Sequence, residues 1–232
     1  MFYFLFFIFY FIWHLNIVPL ILLIIYPFYN VQLKYYGKYL FNTLKLKHNF
    51  IKESEYIQKG FILANHRCYF DFFLDPIISE STPVGRRLAF LLFLFASLYL
   101  TSQTGIIIIN RGKDSRKTIF NKMLKHNLVL FFPEGTRLRH NLIESVDHVK
   151  QLLRYGLLKE IYYHQLLPVQ IQMSSNKELV IDERKFKINK NITVKTHLSN
   201  PIYPADYKTE QEFYDAIANQ WYNSWIITHS TV

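Results

Sequence analysis

The hydrophobic pattern is most uneven at the amino end. From Phe2 to Phe28 the chain is almost wholly apolar, broken mainly by His14, Asn16 and Pro19. As one helix this stretch would run roughly 40 Å at about 1.5 Å per residue, enough to cross a hydrocarbon core of about 30 Å with some tilt. No basic n-region precedes it and no small-residue cleavage site follows, so a retained membrane segment is favoured over a cleaved signal peptide. Lys34, Lys38, Lys45, Lys47 and Lys52 come soon after it and no basic residue comes before. That bias puts the rest of the chain on the cytosolic side. Pro19 removes a helix hydrogen bond and leaves a second form open, a re-entrant hairpin that enters and leaves on one face. The expected organisation is a membrane anchor over residues 1–33, spanning or re-entrant, then one domain over residues 34–232.

Beyond the anchor, short β-type runs alternate with longer helical ones. This pattern predicts a single α/β domain with a central mixed, largely parallel sheet flanked by helices. The strand candidates are 61–65, 105–110, 128–132 and 167–172. Two later runs, 179–186 and 192–197, alternate more openly and read as edge strands or a hairpin. Helices are expected over 69–78, 87–100, 115–125, 145–158 and 209–227. In the last of these, Phe213, Ile217, Trp221 and Trp225 recur every four residues and form one apolar stripe, for packing on the core or lying at a membrane interface. The segment Leu88 to Leu100 is apolar all round but too short to span a bilayer, so it is either buried or partly immersed in one leaflet. Arg86 and Arg87 stand just before it, suited to lipid phosphates.

Composition sharpens this picture in two ways. A formal charge of +10 calls for an anionic partner. The apolar amino end favours lipid headgroups, and no zinc-finger or other nucleic-acid motif accompanies the charge, so nucleic acid is not an expected partner. The lone cysteine, Cys68, rules out an internal disulfide and reads as a small buried thiol.

Chemistry concentrates after the first strand, in Asn65-His66-Arg67-Cys68-Tyr69-Phe70-Asp71. A strand's carboxyl end is where open α/β sheets place their ligands. Histidine takes a proton near neutral pH, and a nearby carboxylate fixes its tautomer and steadies the imidazolium. Residues five apart on one straight helix do not share a face. His66 and Asp71 therefore act together only if His66 lies in the turn and Asp71 one turn inside the helix, with Asn65 as the expected N-cap. Two further strands end in arginines: Gly105 to Asn110 leads to Arg111, and Phe131-Phe132-Pro133-Glu134-Gly135-Thr136 leads to Arg137. Set at the ends of apolar strands, the pair suits a bidentate grip on phosphate. The remaining histidines lack metal-ligand spacing, and no metal is expected.

These stretches resemble the four ordered motifs of the glycerolipid acyltransferase family, which includes the 1-acylglycerol-3-phosphate acyltransferases. Asn65, His66 and Asp71 match the first; Gly105, Asn110 and Arg111 the second; Pro133, Glu134, Gly135, Thr136 and Arg137 the third; Leu167, Pro168 and Val169 the fourth. The match runs from about Phe61 to Ile171, and the first and third motifs are the distinctive ones. The all-isoleucine run before Asn110 departs from a family that often has an aromatic there, which bears on acceptor preference.

The resemblance implies a membrane-bound transferase of phospholipid biosynthesis that moves a fatty acyl group from acyl-CoA to the free hydroxyl of a lysophosphatidic acid-type acceptor, giving phosphatidic acid. It makes His66 the base and Asp71 its orienting carboxylate. It assigns substrate binding to Asn65, Arg67, Gly105, Asn110, Arg111, Pro133, Glu134, Gly135, Thr136 and Arg137. Acyl-CoA enters as co-substrate, with no cofactor. No acyl-enzyme is required, in keeping with the lack of a Gly-x-Ser-x-Gly elbow. The expected location is a membrane, with the catalytic domain of residues 34–232 facing the cytosol, at the endoplasmic reticulum in a eukaryotic cell. Glycerol 3-phosphate or another lysophospholipid is the alternative acceptor, and a catalytically silent protein binding anionic lipid is the alternative of another class.

Overall fold

A computed structural model of the chain describes residues 5, 8–10, 12–29, 33–68, 71–92, 94–110, 112–135, 143–175, 179, 181–182 and 187–229. After a π-helical turn at Trp13–Ile17, the elements in chain order are α1 (Val18–Tyr29), α2 (Leu33–Leu44), β1 (Lys47–Lys52), β2 (Gly60–Ala64), α3 (Asp71–Ser79), β3 (Thr82–Arg86), α4 (Arg87–Leu92) and α5 (Leu94–Gln103). Then come β4 (Ile107–Ile109), α6 (Arg116–Met123), β5 (Leu128–Phe131), α7 (Val146–Leu152), α8 (Gly156–His164), β6 (Val169–Ser174), β7 (Ile181–Asp182), β8 (Lys187–Ile188), β9 (Thr193–Leu198) and α9 (Glu210–His229). The α/β class is the one expected. The chain packs as two compact units, one of Met1–Lys47, Cys68–Arg111 and Leu179–Ile192, the other of His48–Arg67, Gly112–Glu178 and Thr193–Val232.

The second unit is built on strands in the order β1-β9-β6-β2-β5. β2 runs parallel to both β5 and β6, and β6 pairs antiparallel with β9. β2 and β6 are buried along their whole length: β2 reads as a continuous apolar run, whereas β6 alternates Val169, Ile171 and Met173 with Gln170, Gln172 and Ser174, whose side chains are hydrogen-bonded. The register is set by Phe61 opposite Val129 on one side and Val169 on the other. The stripe on α9 packs against β6, with Phe213, Ile217, Trp221 and Trp225 all buried, so core packing is its role.

Two expectations for this unit need correction. β9 is not an edge strand, because β1, an unexpected strand of mostly polar sequence, lies outside it. Its polar residues are buried because they are hydrogen-bonded: the Thr196 hydroxyl meets Ser174 Oγ at 2.9 Å and His48 Nε2 at 3.0 Å, and His197 Nδ1 meets Ser224 Oγ at 2.9 Å. The helix expected over 145–158 is two helices. Leu153 turns extended at ψ 138°, and the Arg154 N–H donates to the Pro133 carbonyl at 2.9 Å rather than continuing the helical ladder.

The first unit holds β3 parallel to β4 and a small hairpin of β7 with β8. The hairpin partner of the run at 179–186 is thus Lys187–Ile188, not 192–197; residues 180 and 183–186 lie outside the described set. The helix expected over 87–100 is divided into α4 and α5, where the Ser97 hydroxyl donates to the Phe90 carbonyl at 3.0 Å. α1 packs against α5, and the buried rings of Tyr36 on α2 and Tyr99 on α5 meet edge to face at 5.5 Å.

The spanning form of the anchor finds no support: among the described residues, no helix is long and apolar enough to cross a membrane. α1 has 12 residues, about 18 Å of helix. At its start the Val18 N–H reaches back to the Trp13 carbonyl, a five-residue step just before Pro19. A proline ring clashes with the carbonyl four residues back, and a π turn widens the coil to relieve it.

Candidate active site

The parallel pairing of β2 with β5 carries the first and third motifs to one end of the sheet. Gly60 lies opposite Leu128 and Leu63 opposite Phe131. The chain leaves both strands in step, so His66 and Glu134, each three residues beyond a register pair, arrive side by side. The His66 N–H donates to Glu134 Oε2 at 2.8 Å. The imidazole lies over the Phe132 ring, centroids 4.6 Å apart and planes 29° from parallel. His66 and Glu134 are both buried, at 8% and 3% exposure. A buried carboxylate accepting a backbone N–H is a strong, charge-assisted bond. It fixes the backbone from which the imidazole projects.

β6 secures the other side. Asn65 Nδ2 donates to the Ser174 carbonyl at 2.8 Å, and Asn65 Oδ1 accepts the Ser174 N–H at 2.8 Å. The side-chain amide copies a strand's backbone pairing one residue past the end of β2. Asn65 is therefore not the helix N-cap expected of it, since residues 66–68 that follow it are not helical. Arg67 is buried too, with Nη1 donating to the Ser175 carbonyl at 3.4 Å. His48 is pushed down to about 4, first by burial and then by the charge of Arg67.

In the first unit, Asp71 is wholly buried and opens α3. Its Oδ2 accepts the Cys68 N–H at 2.7 Å, while its own N–H donates to the Cys68 carbonyl at 3.2 Å. This reciprocal turn fixes the carboxylate at the helix start. Cys68 is the buried thiol expected, and its Sγ donates to Asp71 Oδ1 at 3.5 Å. Gly105, at φ 83°, follows α5 with its N–H on the Thr101 carbonyl, and Asn110 stands just past β4. Tyr69, Arg111, Thr136 and Arg137 lie outside the described residues.

Gly135 turns the loop after Glu134. Its φ is +67°, a left-handed conformation that favours glycine, and its N–H donates to the Phe132 carbonyl at 3.1 Å. A β-carbon here would lie 2.7 Å from Arg154 Nε. Phe132, Ser174 and Arg154 are the site neighbours that motif spacing did not single out. Phe132 adjoins the third motif and was within reach; Ser174 and Arg154 are placed by long-range packing that no local pattern announces.

The model of the family described as Acyltransferase matches residues 47–169, just over half of the chain. The chain belongs to the acyltransferase family. As an acyltransferase it carries the two most specific motifs on β2 and β5, inside the matched region. Among solved structures it is similar to the 1-acyl-sn-glycerophosphate (LPA) acyltransferase PlsC from Thermotoga maritima, at 14% sequence identity and a TM-score of 0.66, over 86% of this chain and 80% of that one. At that identity the likeness is one of fold. No curated protein matches the chain.

Proposed function

We propose that this acyltransferase moves a fatty acyl group from acyl-CoA to the free hydroxyl of lysophosphatidic acid, giving phosphatidic acid and free coenzyme A. The observation that carries the reading is the His66 N–H held by buried Glu134 at the shared end of parallel β2 and β5. The name of the similar PlsC structure, an LPA acyltransferase, supports the choice of acceptor.

In this mechanism a neutral His66 takes the acceptor's hydroxyl proton as the oxygen attacks the thioester carbonyl. The tetrahedral intermediate collapses with cleavage of the carbon–sulfur bond. The departing thiolate takes the proton back from the imidazolium, leaving the enzyme unchanged. Asp71, five residues further along the chain, steadies that imidazolium. Arg111 and Arg137 grip the acceptor phosphate, and Gly105 and Asn110 shape the second-motif loop. Buried Arg67 adds positive charge beside the base. Orientation of both substrates supplies much of the rate, an effect worth about 7–11 kcal/mol in well-aligned systems.

Residues 1–33 bind a bilayer without crossing it in this reading. Support comes from the first unit, where Phe9, Trp13, Ile21, Ile24, Leu94 and Leu98 leave large apolar side chains exposed and Arg86 and Arg87 are exposed cations. The acyl chains of both substrates then enter from the cytosolic leaflet.

A panel of acceptors tests the reaction: lysophosphatidic acid, glycerol 3-phosphate and lysophosphatidylcholine, each with labelled oleoyl-CoA. Labelled phosphatidic acid as the main product is the expected result. Preference for another acceptor would move the assignment to that lipid, and no transfer to any of them would favour a silent lipid-binding protein.

A further inference from the structure

Among its described residues, the second unit carries two arginines that the proposed mechanism does not use. Arg154 is exposed, yet it is fixed at both ends. Its N–H donates to the Pro133 carbonyl at 2.9 Å. Its side chain lies flat on Gly135, where a β-carbon would come within 2.7 Å of Nε, 2.8 Å of Cδ and 2.9 Å of Cζ. Gly135 directly follows Glu134, so this guanidinium sits on the loop that holds the His66 backbone. Arg116, the first residue of α6, is also exposed and lies in the same way on Gly156, two residues beyond Arg154, with Nε 2.8 Å from where a β-carbon would be.

Neither guanidinium pairs with a carboxylate among the described residues, whereas nearby Lys122 and Lys150 have Asp114 and Asp215 at 2.8 and 2.7 Å. A guanidinium held in place with no carboxylate partner gains from an anion bound beside it. The absence of side chains at 135 and 156 leaves the room the two guanidinium groups occupy. A planar guanidinium with a forked set of donors suits a phosphate better than an ammonium does.

We infer that Arg154, assisted by Arg116, forms a phosphate-binding site beside the Glu134–Gly135 loop, additional to the motif arginines. It positions a phosphate of one of the two substrates, either the acceptor's phosphate or the 3′-phosphate of coenzyme A. The inference rests on the proposed reaction for the identity of those substrates.

Direct binding to the full-length protein tests it without relying on turnover. Wild type, Arg154→Ala, Arg154→Lys and Arg116→Ala are titrated by calorimetry with glycerol 3-phosphate as the acceptor probe and with 3′,5′-ADP as the donor probe. The wild type should bind at least one probe, Arg154→Ala should weaken that probe at least tenfold, and Arg154→Lys and Arg116→Ala should weaken it less. The probe affected identifies the source of the phosphate. A merely structural Arg154 would lower the melting temperature and leave both affinities unchanged. Affinities within twofold of wild type in Arg154→Ala, or no binding of either probe by the wild type, would overturn the inference. Failure of acyl transfer by the wild type alongside tenfold weakening in the variant would instead sink the reaction and leave the anion site standing.

Discussion

Glu134 is the residue whose replacement separates positioning from chemistry most cleanly. Its carboxylate accepts the buried His66 N–H at 2.8 Å. Glu134→Ala leaves that donor unpartnered, at a cost of about 1–3 kcal/mol. The cost falls on the backbone that aims the imidazole, and a displacement of about 1 Å in a catalytic group lowers the rate about 10²-fold. Glu134→Gln keeps an oxygen that accepts the same bond, at roughly half the strength of a charge-assisted one, so its loss should be nearer tenfold. Initial rates with oleoyl-CoA and lysophosphatidic acid, varied one at a time, should show kcat falling in that order. A thermal melt should show Glu134→Ala about 4–8 °C below wild type, from a loss of about 2 kcal/mol in a chain of this size. A kcat for Glu134→Ala within threefold of wild type would refute the positioning role. Equal losses in the two variants would show that the carboxylate's charge matters rather than the bond it accepts.

Other consequences are open to simpler tests. Gly135→Ala forces a β-carbon into the left-handed region, at roughly 1–2 kcal/mol, and against the Arg154 guanidinium; it should lower both activity and melting temperature, and unchanged values would contradict the loop geometry. His48 is held at about 4, and His197 is also lowered by burial, so both bind protons less readily folded than unfolded. Their contribution to stability is complete above about pH 6.5 and declines as pH falls towards the folded values. For His48 the decline is about 2 kcal/mol by pH 5, or about half that allowing for its partial exposure. Melting curves from pH 7.5 to 5 should fall for wild type and fall less for His48→Gln; parallel curves would remove His48 from the account. Leu94 and Leu98 are exposed on α5, and replacing both with glutamate should reduce sedimentation with phosphatidic acid-containing vesicles several-fold, whereas unchanged binding would assign membrane contact elsewhere.

The buried parallel strands were legible for two reasons: β2 and β5 are short runs of apolar residues because both faces are covered, and β6 alternates Val169, Ile171 and Met173 with Gln170, Gln172 and Ser174. The strands that went unread have physical excuses. Lys47–Lys52 is largely polar and becomes β1 by pairing beside β9, while Thr82–Arg86 contains both proline and glycine and becomes β3 next to β4. The break between α7 and α8 depends on a carbonyl of the third motif, 21 residues upstream of Arg154, capturing an N–H. The site motifs were readable as residue types in order. Their assembly follows from the β2–β5 register, which brings His66 to Glu134 across a separation of 68 residues. The expected capping role of Asn65 failed because Ser174, across the sheet, offers its side-chain amide two bonds where a helix start offers one.

The most direct measurement is transfer of labelled oleate from oleoyl-CoA to lysophosphatidic acid by membranes carrying wild type, His66→Ala or Asp71→Ala, with folding of each checked by thermal melt. The account predicts labelled phosphatidic acid from the wild type, a loss of at least 10³-fold in His66→Ala and a smaller loss in Asp71→Ala. Folded His66→Ala protein that retains wild-type activity would contradict it.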